Sequence, residues 1–215
     1  MDHRLLQLVN RQWTNPALDR VMAAASSFDL WLPFIVAAVL LAAWFGRRRA
    51  RVCLLALGLT VGVADGLIDR TLKHAVHRLR PPQAMAGVRQ VELARRVRPR
   101  VLAMFHPPKV TVTTSPAEIR PEDPFPGRSF PSSHVVNCFA AAAVLTYFYR
   151  RRGPWAFAPA ALVAYSRVYT GSHWPSDVAA SMVLAVGIAA AVLVAVRWAE
   201  QRWQTHRQAH GQASG

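Results

Sequence analysis

Acidic side chains are scarce in this chain: 11 Asp and Glu stand against 26 Lys and Arg, a net charge of +15 over 215 residues. So large an imbalance points to an anionic partner, whether nucleic acid, anionic lipid or a phosphorylated substrate. Nucleic acid fits least and is not expected as a partner, because many of the arginines flank apolar runs, where basic residues meet lipid headgroups. Cysteine is nearly missing as well. Cys53 and Cys138 both lie inside apolar runs, read as buried thiols that behave like small hydrophobes, and are silent on compartment. Aromatic residues make up 9% of a chain that is 53% hydrophobic, so Ala, Leu and Val carry the apolar content. No internal repeat is visible. Residues 1 to 25 lack a basic n-region followed by a clean apolar h-region and a small-residue cleavage site, so no signal peptide is expected.

What is plentiful is apolar and bunched. A membrane protein with one large polar loop has this composition, as would a very Ala-rich soluble helical protein. Residues 3 to 25 set Leu5, Leu6, Leu8, Val9, Trp13, Leu18, Val21 and Met22 among Arg4, Arg11 and Arg20. That suits an amphipathic helix, broken near Asn15-Pro16, lying in a membrane interface. Five apolar segments follow: Leu30 to Phe45, Val52 to Ile68, Val135 to Tyr149, Trp155 to Tyr169 and Val178 to Val196. Several fall short of the roughly 20 residues of a full span, so amphipathic flanks must complete them. Trp31, Trp44, Trp155, Trp174 and Trp198 stand near the proposed ends, as in an interfacial aromatic belt. The expected fold is all-α: one polytopic membrane helix bundle over residues 1–215 with about five transmembrane helices. An interfacial helix would occupy 1–27 and a cytoplasmic tail 198–215.

Residues 82–130 read as a long loop, a lid or a substrate-selecting element. Within and beside it, "AMAGVRQVELARRVRPR" suits a basic amphipathic helix on headgroups, "KVTVTTS" alternates like a strand, and "IRPEDPFPGRSFP" is proline-punctuated. The short connections "GRRRAR" and "RRRG" share one side by parity with the tail beyond Val196, and arginines in short loops belong in the cytoplasm. The amino terminus, the long loop and "SRVYTGSHWPSD" then face outward. In a compact, Ala/Arg-rich chain read as bacterial, that is the periplasmic side of the inner membrane.

Three polar clusters sit at segment ends on that side. In "KHAVHRLRP", Lys73 and Arg80 are seven residues apart, two turns of one helix, with His77 beside them and Pro81 ending it. The bland reading is a basic snorkelling helix end. In "GRSFPSSH", Ser132 or Ser133 caps a helix whose free N–H groups and hydroxyls could cradle a phosphate, with His134 in the first turn. The bland reading is a capped helix with an incidental histidine. In "SRVYTGSHWPSD", Arg167 ends a segment, Gly171 turns the chain, and Asp177 stands near enough to His173 to accept its hydrogen bond. A carboxylate holding one imidazole nitrogen frees the other as base, nucleophile or ligand. The bland reading is a carboxylate complementing the helix dipole. Separately these accounts hold; jointly they do not. Three cations, helix N–H groups and two histidines describe a site for phosphoryl transfer.

The pattern Lys73, six residues, Arg80-Pro81; Pro131-Ser132-Ser133-His134; and Ser166-Arg167, five residues, His173, three residues, Asp177 resembles the tripartite signature of the type 2 phosphatidic acid phosphatase superfamily. That superfamily includes bacterial membrane lipid phosphatases and vanadium haloperoxidases. Ser133 stands where the commonest family form has glycine. The resemblance implies His173 as nucleophile forming a phosphohistidine, Asp177 orienting it, and His134 protonating the leaving group and then activating water. It implies Lys73, Arg80 and Arg167 on the phosphoryl oxygens, helped by Ser132 and the Ser133 amide, with Arg128 within possible reach. No metal or other cofactor is implied.

The expected activity is hydrolysis of a lipid phosphate or diphosphate, undecaprenyl diphosphate first. Lipid A 1-phosphate, phosphatidylglycerophosphate and phosphatidic acid are alternatives, as is transfer to another acceptor. Membrane lipids would be the surrounding partners. A metal-dependent hydrolase with His134, His173 and Asp177 as ligands is a second reading; the crowding cations speak against it. A basic membrane scaffold binding anionic lipid is the non-enzymatic one. Asp69, four residues before Lys73, suits a helix salt bridge; Asp65 lies deeper and faces the bundle interior with no evident partner.

Overall fold

The computed structural model describes residues 1–67, 71–93, 109–116 and 128–212. Helix α1 (Asp2–Gln7) runs on through a π-helical turn (Leu8–Gln12) and is followed by α2 (Pro16–Ser26). The break falls where Asn15-Pro16 demands it. Asn15 accepts the Leu18 N–H as N-cap, and Pro16, having no N–H to satisfy, opens the helix. This segment is not simply laid on an interface. Leu6, Val9 and Met22 are buried in a protein core, although Leu5, Trp13 and Val21 stay exposed.

The five apolar segments all appear as helices: α3 (Phe28–Phe45), α4 (Arg48–Leu67), and, after the polar insert, Ser133–Phe148, Phe157–Tyr169 and Pro175–Gln212. Two of them, Phe28–Phe45 and Pro175–Thr205, are long and apolar enough to cross a membrane. None of the 18 residues of α3 is buried, Phe34, Leu40 and Phe45 included. It packs on α4 and leaves most of its apolar surface uncovered by the described residues.

Between α4 and the third apolar helix the chain departs from expectation. A short turn, α5 (Lys73–Ala75), gives way at once to extended Val76, and Pro81 opens a helix, α6 (Pro81–Ala84), rather than ending one. A residue before proline avoids the helical region, so Arg80 is extended. Lys73 and Arg80 are thus not stacked on one helical face; a loop relates them. Residues 89–93 of the expected amphipathic helix are instead strand β1 (Arg89–Leu93), paired antiparallel with β2 (Val110–Thr114) so that Val91 faces Val112. The alternation of "KVTVTTS" gave β2 directly, whereas β1 takes its form from its partner. Asp69, His106 and most of "IRPEDPFPGRSFP" lie outside the described residues.

Helices α7 (Ser133–Phe148), α8 (Phe157–Tyr169) and α9 (Pro175–Gln212) complete the fold. One apolar cluster joins α4, α7 and α9: Cys53, Ala56 and Ala64 meet Val136, Ala140 and Val144, and Ala185, Ile188 and Ala189. Spacings of three and four put each set on one helical face, and the small residues let the helices approach closely. A second cluster joins α1, α2 and β1 to the ends of α7, α8 and α9 through Leu6, Met22, Val88, Val91, Val135, Tyr169 and Trp174. The hairpin is pinned there by polar contacts. Arg89 forks onto both carboxylate oxygens of Asp19, and buried Asn10 exchanges bonds with the Arg89 backbone while donating to the Tyr169 carbonyl.

Gly171 sits at φ +70°, and a Cβ there would come 2.5 Å from the Arg89 carbonyl oxygen. Gly171→Ala is expected to cost about 2 kcal/mol of stability from strain and clash. Gly58→Ala, where an added Cβ meets nothing within 4 Å, leaves stability unchanged or slightly raised. Thermal unfolding of the two variants side by side checks this.

Candidate functional site

The three polar clusters converge. The Ser129 N–H donates to the Arg78 carbonyl at 2.8 Å, and Leu79 and Arg128 pair across a bridge, so the first cluster is zipped to the second. The Trp174 indole N–H donates to the Leu79 carbonyl at 2.8 Å, tying in the third. Ser132 N–H donates to Ser181 Oγ, which itself donates to the Asp177 carbonyl. Trp174 is therefore buried at the centre of this junction, not set in an interfacial belt. Trp31, Trp44, Trp155 and Trp198 are exposed.

Around this junction the cations and imidazoles share one electrostatic environment. His134 feels the charges of Arg167, Arg80 and Lys73, and His173 those of Arg167, Arg80 and His134. The Nε atoms of Arg80 and Arg167 and the hydroxyl of Ser132 are buried with no hydrogen-bond partner among the described residues. Buried polar atoms are ordinarily paired with protein, water or a bound group, so these donors are open to a partner of any of those kinds. Ser132 occupies the N-cap position of α7 without its side chain capping, so that hydroxyl is uncommitted. Arg167 is held by donating to the Ser26 hydroxyl at the end of α2. Arg128 is half-buried at the strand bridge, and among the described residues no hydrogen bond or ion pair joins its side chain to the cluster.

His173 is 4% exposed, and its Nδ1 lies 2.5 Å from the Ser129 carbonyl oxygen. A carbonyl can only accept, so Nδ1 carries the proton and Nε2 presents a lone pair. Burial, then the charges of Arg167 and Arg80, hold the imidazole well below its ordinary pKa of 6.5, against the opposing bond to Ser129. It is neutral at pH 7.

The expected direct bond from Asp177 to His173 is absent. Asp177, wholly buried, accepts from Ser129 Oγ, from the Trp174 N–H at 3.3 Å and from Arg78 at 2.5 Å. It is instead linked to His173 through Ser129, whose hydroxyl it binds while the same residue's carbonyl holds the imidazole. The loop "SHWP" carries His173 across to the Ser129 backbone before α9 begins, which separates it from the carboxylate.

Sequence reasoning passed over Arg78, Ser129 and Asp2. Arg78 bridges Asp177 to Asp2, at 2.5 and 2.6 Å, donates to Ser176 Oγ and lies 5.6 Å from the Trp174 ring centre. Asp2 accepts the Ser176 N–H at 3.0 Å, at the start of α9. A carboxylate at a helix start is already complemented by the helix dipole, so the sequence did not single out Arg78 among the basic residues of "KHAVHRLRP". Asp65, left without a partner above, accepts from Asn137 Nδ2 at 2.9 Å, one turn beyond His134 on α7.

The PAP2 superfamily model matches residues 52–201. The chain belongs to the PAP2 superfamily. The matched stretch holds all three polar clusters, so the resemblance read from the spacing of these residues is upheld. Among solved structures, that of LpxE from Aquifex aeolicus has a TM-score of 0.53 at 20% identity, covering 89% of this chain and 94% of that one. At that identity the likeness is one of fold. No curated protein sequence matches.

A site with unmatched buried donors should bind a tetrahedral oxyanion. Inorganic phosphate or tungstate is expected to raise the thermal stability of this PAP2 protein in detergent. Arg80→Gln and Arg167→Gln should each weaken that binding roughly 10- to 100-fold, the worth of a hydrogen bond to a charged group. His77→Gln, at an exposed position, should leave it unchanged.

Proposed function

We propose that this protein is a membrane-embedded phosphatase that hydrolyses a lipid phosphate or diphosphate through a phosphohistidine. The observation that carries the reading is the set of uncommitted buried donors, Arg80 Nε, Arg167 Nε and Ser132 Oγ, gathered around two imidazoles. Three separate stretches of chain supply these groups, and a phosphoryl group is the ligand whose oxygens match them.

In this mechanism the Nε2 lone pair of His173 attacks phosphorus while the bond to the leaving oxygen breaks. His134 gives that oxygen its proton, then takes one from the water that attacks the phosphohistidine, and the P–N bond breaks to release phosphate. Lys73, Arg80 and Arg167 balance the charge spread over the nonbridging oxygens in both steps. With three fixed cations doing this, no metal ion is required. Asp177 and Arg78 are positioning residues, holding Ser129 and through it the tautomer of His173.

The apolar surface of α3 and the long apolar run of α9 support a membrane location, with α4, α7 and α8 completing the bundle. The arginine-rich ends at 46–51 and 150–152 favour the cytoplasm for the end opposite the site, which supports catalysis at the outer face. Undecaprenyl diphosphate is the first substrate to test. Lipid A 1-phosphate, phosphatidylglycerophosphate and phosphatidic acid complete the panel.

Purified protein in detergent should release phosphate from at least one of these lipids in excess chelator, and should take up label from a substrate radioactive at phosphorus. His173→Ala should abolish both label and turnover. His134→Ala should slow turnover by roughly 10²- to 10⁴-fold, the usual worth of a general acid. Loss of activity on chelation would favour the metal-hydrolase reading, and undiminished release by His173→Ala would leave only the lipid-binding scaffold.

Arg78→Gln separates positioning from binding. Because this guanidinium faces Asp177 and Asp2 rather than the unmatched donors, kcat should fall by roughly tenfold or more while KM changes less than about threefold. Arg78→Lys should recover part of the loss. Equal loss in KM alone would put Arg78 on the substrate instead.

A further inference from the structure

At the far end of α4, α7 and α9 from the catalytic cluster, roughly 20 Å away by the rise of α7, a recess of about 460 Å³ opens to the surface. Arg48 and Arg49 border it from the start of α4, Tyr147 and Arg150 from the end of α7, and Arg197 and Glu200 from α9. Four guanidinium groups thus face one carboxylate. Arg49 is fixed in place, donating to the Phe148 carbonyl and lying 5.2 Å from the Tyr149 ring centre. Among the described residues Arg48, Arg150 and Arg197 have no ion-pair partner.

Setting the orientation of a membrane protein requires arginines on one side, in any arrangement. Convergence from three helices on a single volume goes beyond that requirement. The cations repel one another across the recess, and an anion placed between them relieves the repulsion. The surroundings indicate what carries that anion. Exposed Trp198, with Arg202 4.6 Å from its ring centre, directly follows Arg197, at a level where an interfacial aromatic would stand. Along the outer side of the same helix Val183, Val186 and Val194 are exposed, a wall for acyl chains leading down from the recess.

We propose that this recess is a binding site for the headgroup of an anionic phospholipid, held at the cytoplasmic boundary and separate from the catalytic site. The inference rests on the membrane reading given above but not on the chemistry assigned to the histidines. The bound lipid would tie the ends of three helices that carry the three polar clusters at their other ends.

The test uses the full chain in a neutral detergent, with thermal unfolding read against added lipid. Phosphatidylglycerol is expected to raise the unfolding temperature and phosphatidylcholine is not, while the separate shift from inorganic phosphate at the catalytic cluster should be the same with and without the recess arginines. The Arg49→Gln/Arg197→Gln protein should need roughly 30-fold more phosphatidylglycerol for the same shift, at about fivefold per arginine. Should that pair fold poorly, Arg48→Gln and Arg150→Gln singly should each show about a fivefold change. His173→Ala, which tests the catalytic reading, should keep the full shift, so the two ideas fail separately. Equal stabilisation by phosphatidylcholine overturns the proposal, as does an undiminished phosphatidylglycerol shift in the arginine variants or a phosphate shift that falls along with it.

Discussion

A single buried carboxylate sets the geometry of the whole site. Asp177 is fully removed from solvent, and an ion in that position must be paired and hydrogen-bonded or the fold is strongly destabilised. Its partners come from elsewhere in the chain: Arg78 before the long insert, Ser129 after it, and the Trp174 amide on its own loop. Satisfying Asp177 therefore brings three distant stretches into register at once. The positions of Arg80, two residues past Arg78, of Ser132, three past Ser129, and of His173, next to Trp174, follow from that register. The carboxylate does not touch the imidazole, yet removing it would loosen every group around the imidazole.

The cations make the opposite demand. Burial holds the Arg80 guanidinium below its ordinary proton affinity, and the negative charge of Glu92 on β1 offsets this only from an exposed position. Unmatched, the cations are a standing source of instability that the two apolar clusters must outweigh. Sites prepared for a charged transition state commonly carry this conflict, and stability is given up for function there. The bond from Arg167 to Ser26 and the extended backbone of Arg80 before Pro81 set where the two guanidinium groups stand. Electrostatic strain is thereby kept available for an incoming anion.

Much of this was legible in the sequence because helix periodicity and motif spacing are local properties. Five apolar segments became helices, Asn15-Pro16 broke the first one, and Lys73, Arg80, Ser132, His134, Arg167 and His173 fell into one junction. What could not be read depended on pairing between distant segments. Strand β1 forms because β2 and Asn10 offer its backbone partners, against a local pattern that also suits a helix. The partner of His173 is a backbone carbonyl, and carbonyls leave no trace in side-chain identity. Trp174 resembled a belt residue because burial against Leu79 and His3 is set by the fold alone. Arg78 was visible but not distinguishable from its basic neighbours until Asp177 was seen to be buried.

The site also lies on a seam. Val135 and Val136 are consecutive on α7, yet one packs into the cluster of N-terminal helices and hairpin and the other into the α4–α7–α9 stack. His134 precedes them in the same helical turn. On one side of it stand polar, hydrogen-bonded elements, with Asn10, Asp19 and Arg89 locking the hairpin. On the other stand small apolar side chains and helices whose outer faces are exposed hydrocarbon. A substrate that is a phosphate at one end and hydrocarbon at the other meets the same change in polarity along its length. For the proposed lipid substrate, the reacting phosphorus lies at that change, so the packing that separates the two clusters also fixes the depth at which the chemistry happens.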